Sequence, residues 1–205
     1  MERILRQRNI NRLYHFTQAE NLLNILTYGL LPRKKLEEEN ICSCFNDDYR
    51  YDACLGAVCM SIEFPNYKMF YKLRQDNPSA DWAVLQLDAQ ILCDFKCAYC
   101  WTNAGDASMY SIPLEERMGN RAFLKLFEDC PFCPKREELG IADKYPTNPQ
   151  AEVLVFGEIP VTYIQNIYFK DCNTFIKYRD IISSYNINAE IDPSVFCYRV
   201  DYKFW

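Results

Sequence analysis

Short apolar runs, separated by charged and proline-rich stretches, set the pattern of this chain. Residues 12–16 form one such run and read as a strand. Leu22, Leu23, Ile25, Leu26 and Leu30 then recur at helical spacing, and Gly29 and Pro32 punctuate the end of that helix. Residues 33–52 are charged and irregular, which predicts a loop. Residues 57–62 fit a buried strand closed by Pro65, 66–74 a short helix, 82–87 another strand and 113–127 a helix. Pro131, Pro134, Gly140, Pro146 and Pro149 make 128–150 a long loop, a kind of segment that often carries function in a compact domain. Strands are expected at 152–156, 163–169 and 195–202, with a helix at 173–184.

Strands and helices mix without strict alternation, so the fold class is α+β rather than a doubly wound sheet. With 205 residues and no repeat or linker, the chain reads as a single domain over 1–205. Apolar residues make up 49 %, enough for a true core. Aromatics reach 15 %, which supports either that core or a surface on which rings stack. Only 6 glycines are present and no glycine-rich phosphate loop occurs.

Charge is unevenly distributed. The net value is −5, yet residues 1–35 hold seven basic side chains (Arg3, Arg6, Arg8, Arg12, Arg33, Lys34, Lys35) against Glu2 and Glu20. A local patch of this kind can meet phosphate even in an acidic chain. A solvated basic N-terminus fits equally well. The N-terminal segment lacks the apolar core of a secretion signal, and no run approaches the ~20 residues of a membrane helix, so the expected location is cytoplasmic with no membrane partner. In that compartment the 11 cysteines are expected to be mostly reduced core thiols.

Several positions could carry chemistry. His15 is the only histidine and lies in Tyr14-His15-Phe16-Thr17. It reads either as a hydrogen-bonded structural residue or as a site imidazole. Thr17 stands between a site hydroxyl and a helix N-cap, and Asn21 between a site amide and a solvent-facing residue at a helix start. Arg50, in an Asp-rich segment, is either paired locally or an arginine fork for a diphosphate. The segment 61–71 interleaves rings with Lys68, as stacking on bases or nicotinamide would require, or packs those rings into the core. Glu152 opens the apolar run Val153-Leu154-Val155-Phe156. A carboxylate there costs free energy unless it is paired or useful, and it could take a proton or accept a bond from a ribose hydroxyl. Cys97-x-x-Cys100 and Cys130-x-x-Cys133 could together hold zinc. The 29 residues between the pairs exceed the spacing of a zinc ribbon.

Taken together, Tyr14-His15-Phe16-Thr17, Asn21-Leu22, Gly29-Leu30-Leu31-Pro32 and the run from Tyr145 to Val155 resemble the DarT family, bacterial toxins that transfer ADP-ribose from NAD to a DNA base. Ser61 to Tyr67 and Thr102-Asn103-Ala104 resemble one branch of it. The resemblance covers roughly residues 12–170. It implies an ADP-ribosyltransferase-like split β-sandwich with flanking short helices around an NAD cleft. It assigns Glu152 and Arg50 to catalysis, and His15, Thr17, Asn21 and Arg50 to NAD, the cosubstrate. Single-stranded DNA is the implied acceptor, with guanine favoured over thymine. The implied partner is an antitoxin, either a DarG-like macrodomain or a NADAR-type hydrolase. Two rival functions fit the same residues: an ADP-ribosyltransferase of protein or RNA, and a non-catalytic nucleic-acid-binding module.

Overall fold

The computed structural model describes residues 1–45, 53–130 and 133–205. Seven strands form one sheet: β1 (Arg12–Gln18), β2 (Ala57–Ile62), β3 (Trp82–Asp88), β4 (Lys96–Cys100), β5 (Glu152–Phe156), β6 (Ile164–Phe169) and β7 (Asn188–Ile191). Their order is β4-β5-β2-β1-β3-β6-β7. Neighbours run antiparallel except β6 and β7, which are parallel. A parallel pair needs a crossover, and the helix Cys172–Ser183 supplies it.

The central joint is short. β1 pairs with β3 from Arg12↔Asp88 through Gln18↔Trp82. With β2 it pairs only at Leu13↔Ile62 and Tyr14↔Ser61. Beyond Tyr14 and Ser61 the ladder stops. The sheet therefore consists of two halves, β4-β5-β2 and β1-β3-β6-β7, hinged on two residue pairs.

β3 explains how both faces are covered. Ala83, Leu85 and Leu87 enter the main core with Leu22, Leu26, Tyr178 and Ile182, whereas Trp82 and Val84 face a second cluster built on Phe70, Tyr168 and Phe196. The period of two along a strand sends alternate residues to these two layers. The helices Leu22–Tyr28 and Cys172–Ser183 thus cover one face, and Tyr67–Asp76 with the C-terminal tail covers the other.

Several elements differ from the sequence expectation. The helix Arg33–Glu38 lies in the segment expected to be a loop. It shows no apolar stripe, and the pairs Arg33–Glu37, Lys34–Glu38 and Lys35–Glu39 support it at the four-residue spacing that brings side chains together on a helix. The expected helix over 113–127 is two pieces, Leu114–Arg117 and Gly119–Lys125, broken where Gly119 takes a φ of 78°. No strand occurs at 195–202. Asp192 caps a 3-10 turn over Pro193–Phe196, and the last strand is β7, whose mostly exposed residues give no apolar pattern. The short strand β4 also gave no clear signal.

The long loop before β5 contains a helical turn, Arg136–Leu139, and two arginines order its backbone. Arg136 donates to the carbonyls of Ala142 and Tyr145 at 3.0 and 2.8 Å. Buried Arg199 donates to the carbonyls of Pro146 and Thr147 at 2.8 and 2.9 Å, and to both Asp201 oxygens at 2.6 Å. Burial pushes the Asp201 carboxyl up, but Arg199 and a bond from Trp205 outweigh it, and the net direction is below the usual carboxylate value.

Arg199→Ala leaves a buried carboxylate without its partner and should lower stability by about 3–5 kcal/mol in urea denaturation at neutral pH. Because the folded pKa of Asp201 lies below the unfolded value of about 3.9, its contribution is complete above that pH. It is lost as pH falls through the folded value. Asp201→Asn should remove that part of the acid limb.

Gly29 has a φ of 85°, and a Cβ there would stand 2.3 Å from the Ile159 carbonyl oxygen. That carbonyl accepts from Leu30 N in the bridge joining the two segments. Gly29→Ala should therefore cost about 1–3 kcal/mol or more, seen as a lowered Tm.

Candidate active site

A cavity of about 270 Å³ opens where β1 and β2 part. His15 and Thr17 on β1, Cys59 and Ser61 on β2, Asn21 and Glu152 all line it. Four of the five residues expected to act on NAD therefore share one wall system. Arg50 lies outside the described residues.

His15 bridges the widening gap. Its Nδ1 donates to the Cys59 carbonyl at 2.8 Å, two residues past the last backbone pair on β2. A carbonyl only accepts, so this bond keeps the proton on Nδ1. The neighbouring Tyr14 phenol is pushed up to about 12, chiefly by burial and against the pull of Arg12. It therefore remains a neutral O–H at physiological pH.

Glu152 is buried at the head of β5. Its Oε2 accepts from Ala104 N at 2.9 Å, and its Oε1 from Asn103 Nδ2 at 3.2 Å and Asn66 Nδ2 at 3.3 Å. Three N–H donors suit the ionised, acceptor-only carboxylate. Asn66 is fully buried and does two things. Its Oδ1 accepts from Met69 N and caps the helix Tyr67–Asp76, while its amide group holds Glu152. Asn66 and Asn103 were not expected as site residues, although both lie in motifs already noted, Ser61 to Tyr67 and Thr102 to Ala104.

Asn21 is neither exposed nor a simple helix cap. Its Nδ2 donates to Thr17 Oγ1 at 2.9 Å and to the Cys44 carbonyl at 2.9 Å, and its Oδ1 accepts from Cys44 N at 2.8 Å. Asn24 adds a bond to the Cys42 carbonyl. These amides hold 42–44 against the helix, and Ser43, Cys44 and Phe45 line the cavity. Arg33, another lining residue, lies over the Phe45 ring at 4.3 Å and pairs with Glu37. Thr17 sits within β1 and accepts from Asn21, so it is no N-cap.

The expected zinc site is not formed. Among the described residues no group of three or more metal-ligating side chains comes together. Cys97 and Cys100 are an odd number of residues apart on β4 and enter opposite clusters, and burial pushes both thiols up to about 12. Cys130 and Cys133 form a disulfide with a Cα–Cα distance of 5.4 Å. The other nine cysteines are thiols, in keeping with the expectation of mostly reduced ones, although only Cys97 and Cys100 among them are buried. Cys42, Cys172 and Cys197 are exposed, which departs from the expectation of core thiols. No helix among the described residues is long and apolar enough to cross a membrane.

A sheet split at its centre, with a buried carboxylate and a histidine lining one cavity at the split, is an ADP-ribosyltransferase-like fold. A family model described as "ssDNA thymidine ADP-ribosyltransferase, DarT" matches residues 14–197, and the chain belongs to the DarT family. Solved structures agree in fold. Thermosipho africanus DarTG in complex with ADP-ribose aligns with a TM-score of 0.63 at 19 % identity over 90 % of this chain, which spans 50 % of that protein. Thermus sp. 2.9 DarT in complex with NAD+ aligns at 0.56 and 12 % identity, covering 91 % of this chain and 97 % of that one. The same protein in complex with ADP-ribosylated ssDNA aligns at 0.54 and 12 % identity, covering 91 % and 96 %. No curated protein matches the chain.

Asn21→Ala removes all three bonds between that side chain and its partners. Peptides covering 41–45 should then exchange amide hydrogen about ten-fold faster or more, read by deuterium-exchange mass spectrometry.

Proposed function

We propose that residues 1–205 form one ADP-ribosyltransferase domain, a glycosyltransferase of the pentosyl class, that moves ADP-ribose from NAD to a base in single-stranded DNA. The observation that carries this reading is the Glu152 carboxylate, held by three N–H donors inside the cavity that His15 also lines. A carboxylate immobilised in this way is costly for packing alone and suited to positive charge developing on a sugar. DarT membership and a fold shared with NAD- and DNA-bound relatives support the same assignment.

The chemistry follows from the groups. The C1′–N bond to nicotinamide breaks, and its electron pair leaves with nicotinamide. C1′ gains oxocarbenium character, which the Glu152 carboxylate stabilises while accepting a bond from a ribose hydroxyl. A base nitrogen supplies the pair for the new bond to C1′, and the proton it sheds passes to Glu152 or to solvent. His15, Thr17 and Asn21 shape the NAD-binding wall, Asn21 by fixing 42–44. Arg50 is the arginine that the resemblance assigns to catalysis and phosphate. Unstacked bases of a single strand reach such a site without the cost of flipping.

Guanine is the favoured acceptor, on the branch-like runs Ser61 to Tyr67 and Thr102 to Ala104. The family description favours thymidine as a second reading. The domain acts as the toxin of a cytoplasmic toxin–antitoxin pair, opposed by a macrodomain or NADAR-type hydrolase.

Incubation with NAD and short single strands of defined base content should add the mass of one ADP-ribose, on guanine-containing strands first. Glu152→Gln should lower that rate by about 10²–10⁴-fold while calorimetry still detects NAD binding. Asn103→Ala should lower turnover more than NAD affinity. Protein or RNA modified in place of DNA, or no turnover of NAD at all, would replace this function with one of its rivals.

A further inference from the structure

We propose that a strip of exposed tyrosines, shared by the helix Tyr67–Asp76 and the C-terminal tail, binds the single-stranded DNA flanking the acceptor base. This rests on the single-strand reading above and adds to it a path for the strand. Tyr198 is the hub. Its ring lies edge-on to Tyr67 at 5.8 Å, tilted against Tyr71 at 6.0 Å and nearly parallel to Tyr202 at 5.3 Å. Tyr71, Tyr198 and Tyr202 are nevertheless 44 %, 51 % and 46 % exposed. Three large rings lean on one another and leave about half their surface to solvent.

Charge selects the occupant. Lys68, Lys72 and Lys203 stand on the same two segments, with Lys68 Nζ 5.9 Å from the Trp205 ring. Their acidic companions are Asp76, which pairs with Lys72, and Asp201, which is buried and matched by Arg199. The strip is therefore locally basic in a chain of net charge −5. Rings interleaved with lysines are the chemistry that holds single strands, bases stacking on rings and cations meeting phosphates.

The basic N-terminus brings cations engaged much as Lys72 is by Asp76 and Lys68 by the Trp205 carbonyl, but, among the described residues, no comparable cluster of exposed rings. Arg6 pairs with Glu2, Arg8 lies 4.2 Å over the Phe127 ring and donates to the Asp143 carbonyl, and Lys34 and Lys35 pair with Glu38 and Glu39.

Position completes the argument. The helix that carries Tyr67 and Tyr71 starts at Asn66, which holds Glu152, and its Met69 lines the cavity. One rigid element therefore joins the residue that holds the carboxylate to the tyrosines, with Tyr67 and Tyr71 on the helix face opposite Met69. A strand whose acceptor base enters the cavity reaches the rings by passing around this helix.

The test uses a fluorescein-labelled single strand of mixed sequence and fluorescence anisotropy. Tyr198→Ala and Tyr202→Ala should each weaken binding by about ten-fold, and Tyr198→Phe, which keeps the ring, should bind within about two-fold of the wild type. Hydrolysis of NAD without DNA should be unchanged in all three, which shows the cavity intact. Abasic sites flanking the acceptor should erase the difference between wild type and Tyr198→Ala. Alanine variants that bind and modify the strand as the wild type does would overturn the proposal, including when the strip instead proves to bind a protein. A wild type that modifies no DNA would overturn the function beneath it.

Discussion

The structure depends on the brevity of one strand pairing. β1 and β2 share a backbone ladder for two residue pairs and then part. A complete ladder would seal the sheet and leave nowhere for a substrate. No ladder would leave two half-sheets without a common frame. The His15 Nδ1 bond to the Cys59 carbonyl spans the parting with a side chain in place of a backbone amide. It ties the two strands together beyond the point where their ladder ends. At the closed end, Glu63 accepts from the amides of Asn11 and Arg12 through Oε1 and pairs with Lys144 through Oε2. The cleft is thus pinned on both sides of the two-pair joint.

The carboxylate is held by the same logic of side chains replacing a ladder. Glu152 pairs with Cys100 at the end of β4. The chain then turns so that Asn103 and Ala104 come back onto the carboxylate, and a helix cap meets it from the other side. Upstream, the guanidinium of Arg199 fixes the carbonyls of Pro146 and Thr147, and Asn148 accepts from the Gln150 amide through its side chain. A buried ion pair in the tail therefore orders the approach to β5. The pair contributes geometry at a point where packing alone would leave the loop backbone unsatisfied.

The sequence was legible where chemistry and periodicity coincide. β1, β2, β3 and β5 all carry dense apolar runs, and His15, Thr17, Asn21 and Glu152 sit at or beside their ends, so those elements and their gathering around one cleft could be read. Elements made by charge pairs or by backbone alone could not. The helix Arg33–Glu38 rests on Arg–Glu and Lys–Glu pairs, and β7 on its parallel partner. Asn66 and Asn103 lay in runs that only the family resemblance marked, because an amide reveals its role only when its partner, far away in sequence, is known. The cysteine spacing left zinc open, and the structure sends Cys97 and Cys100, three apart on a strand, into opposite clusters. The N-cap reading of Thr17 failed because β1 continues through Gln18.

The bonds to Glu152 join positions 86, 49 and 48 residues apart in the chain. Each such contact closes a long loop, whose entropy opposes it until the rest of the fold supplies support. Synthesis runs from the N-terminus, so Asn66 and Asn103 are in place before the carboxylate leaves the ribosome, and Arg199 follows it. The candidate site is accordingly a product of the assembled fold: a partly unfolded chain holds every residue of the site and none of its geometry.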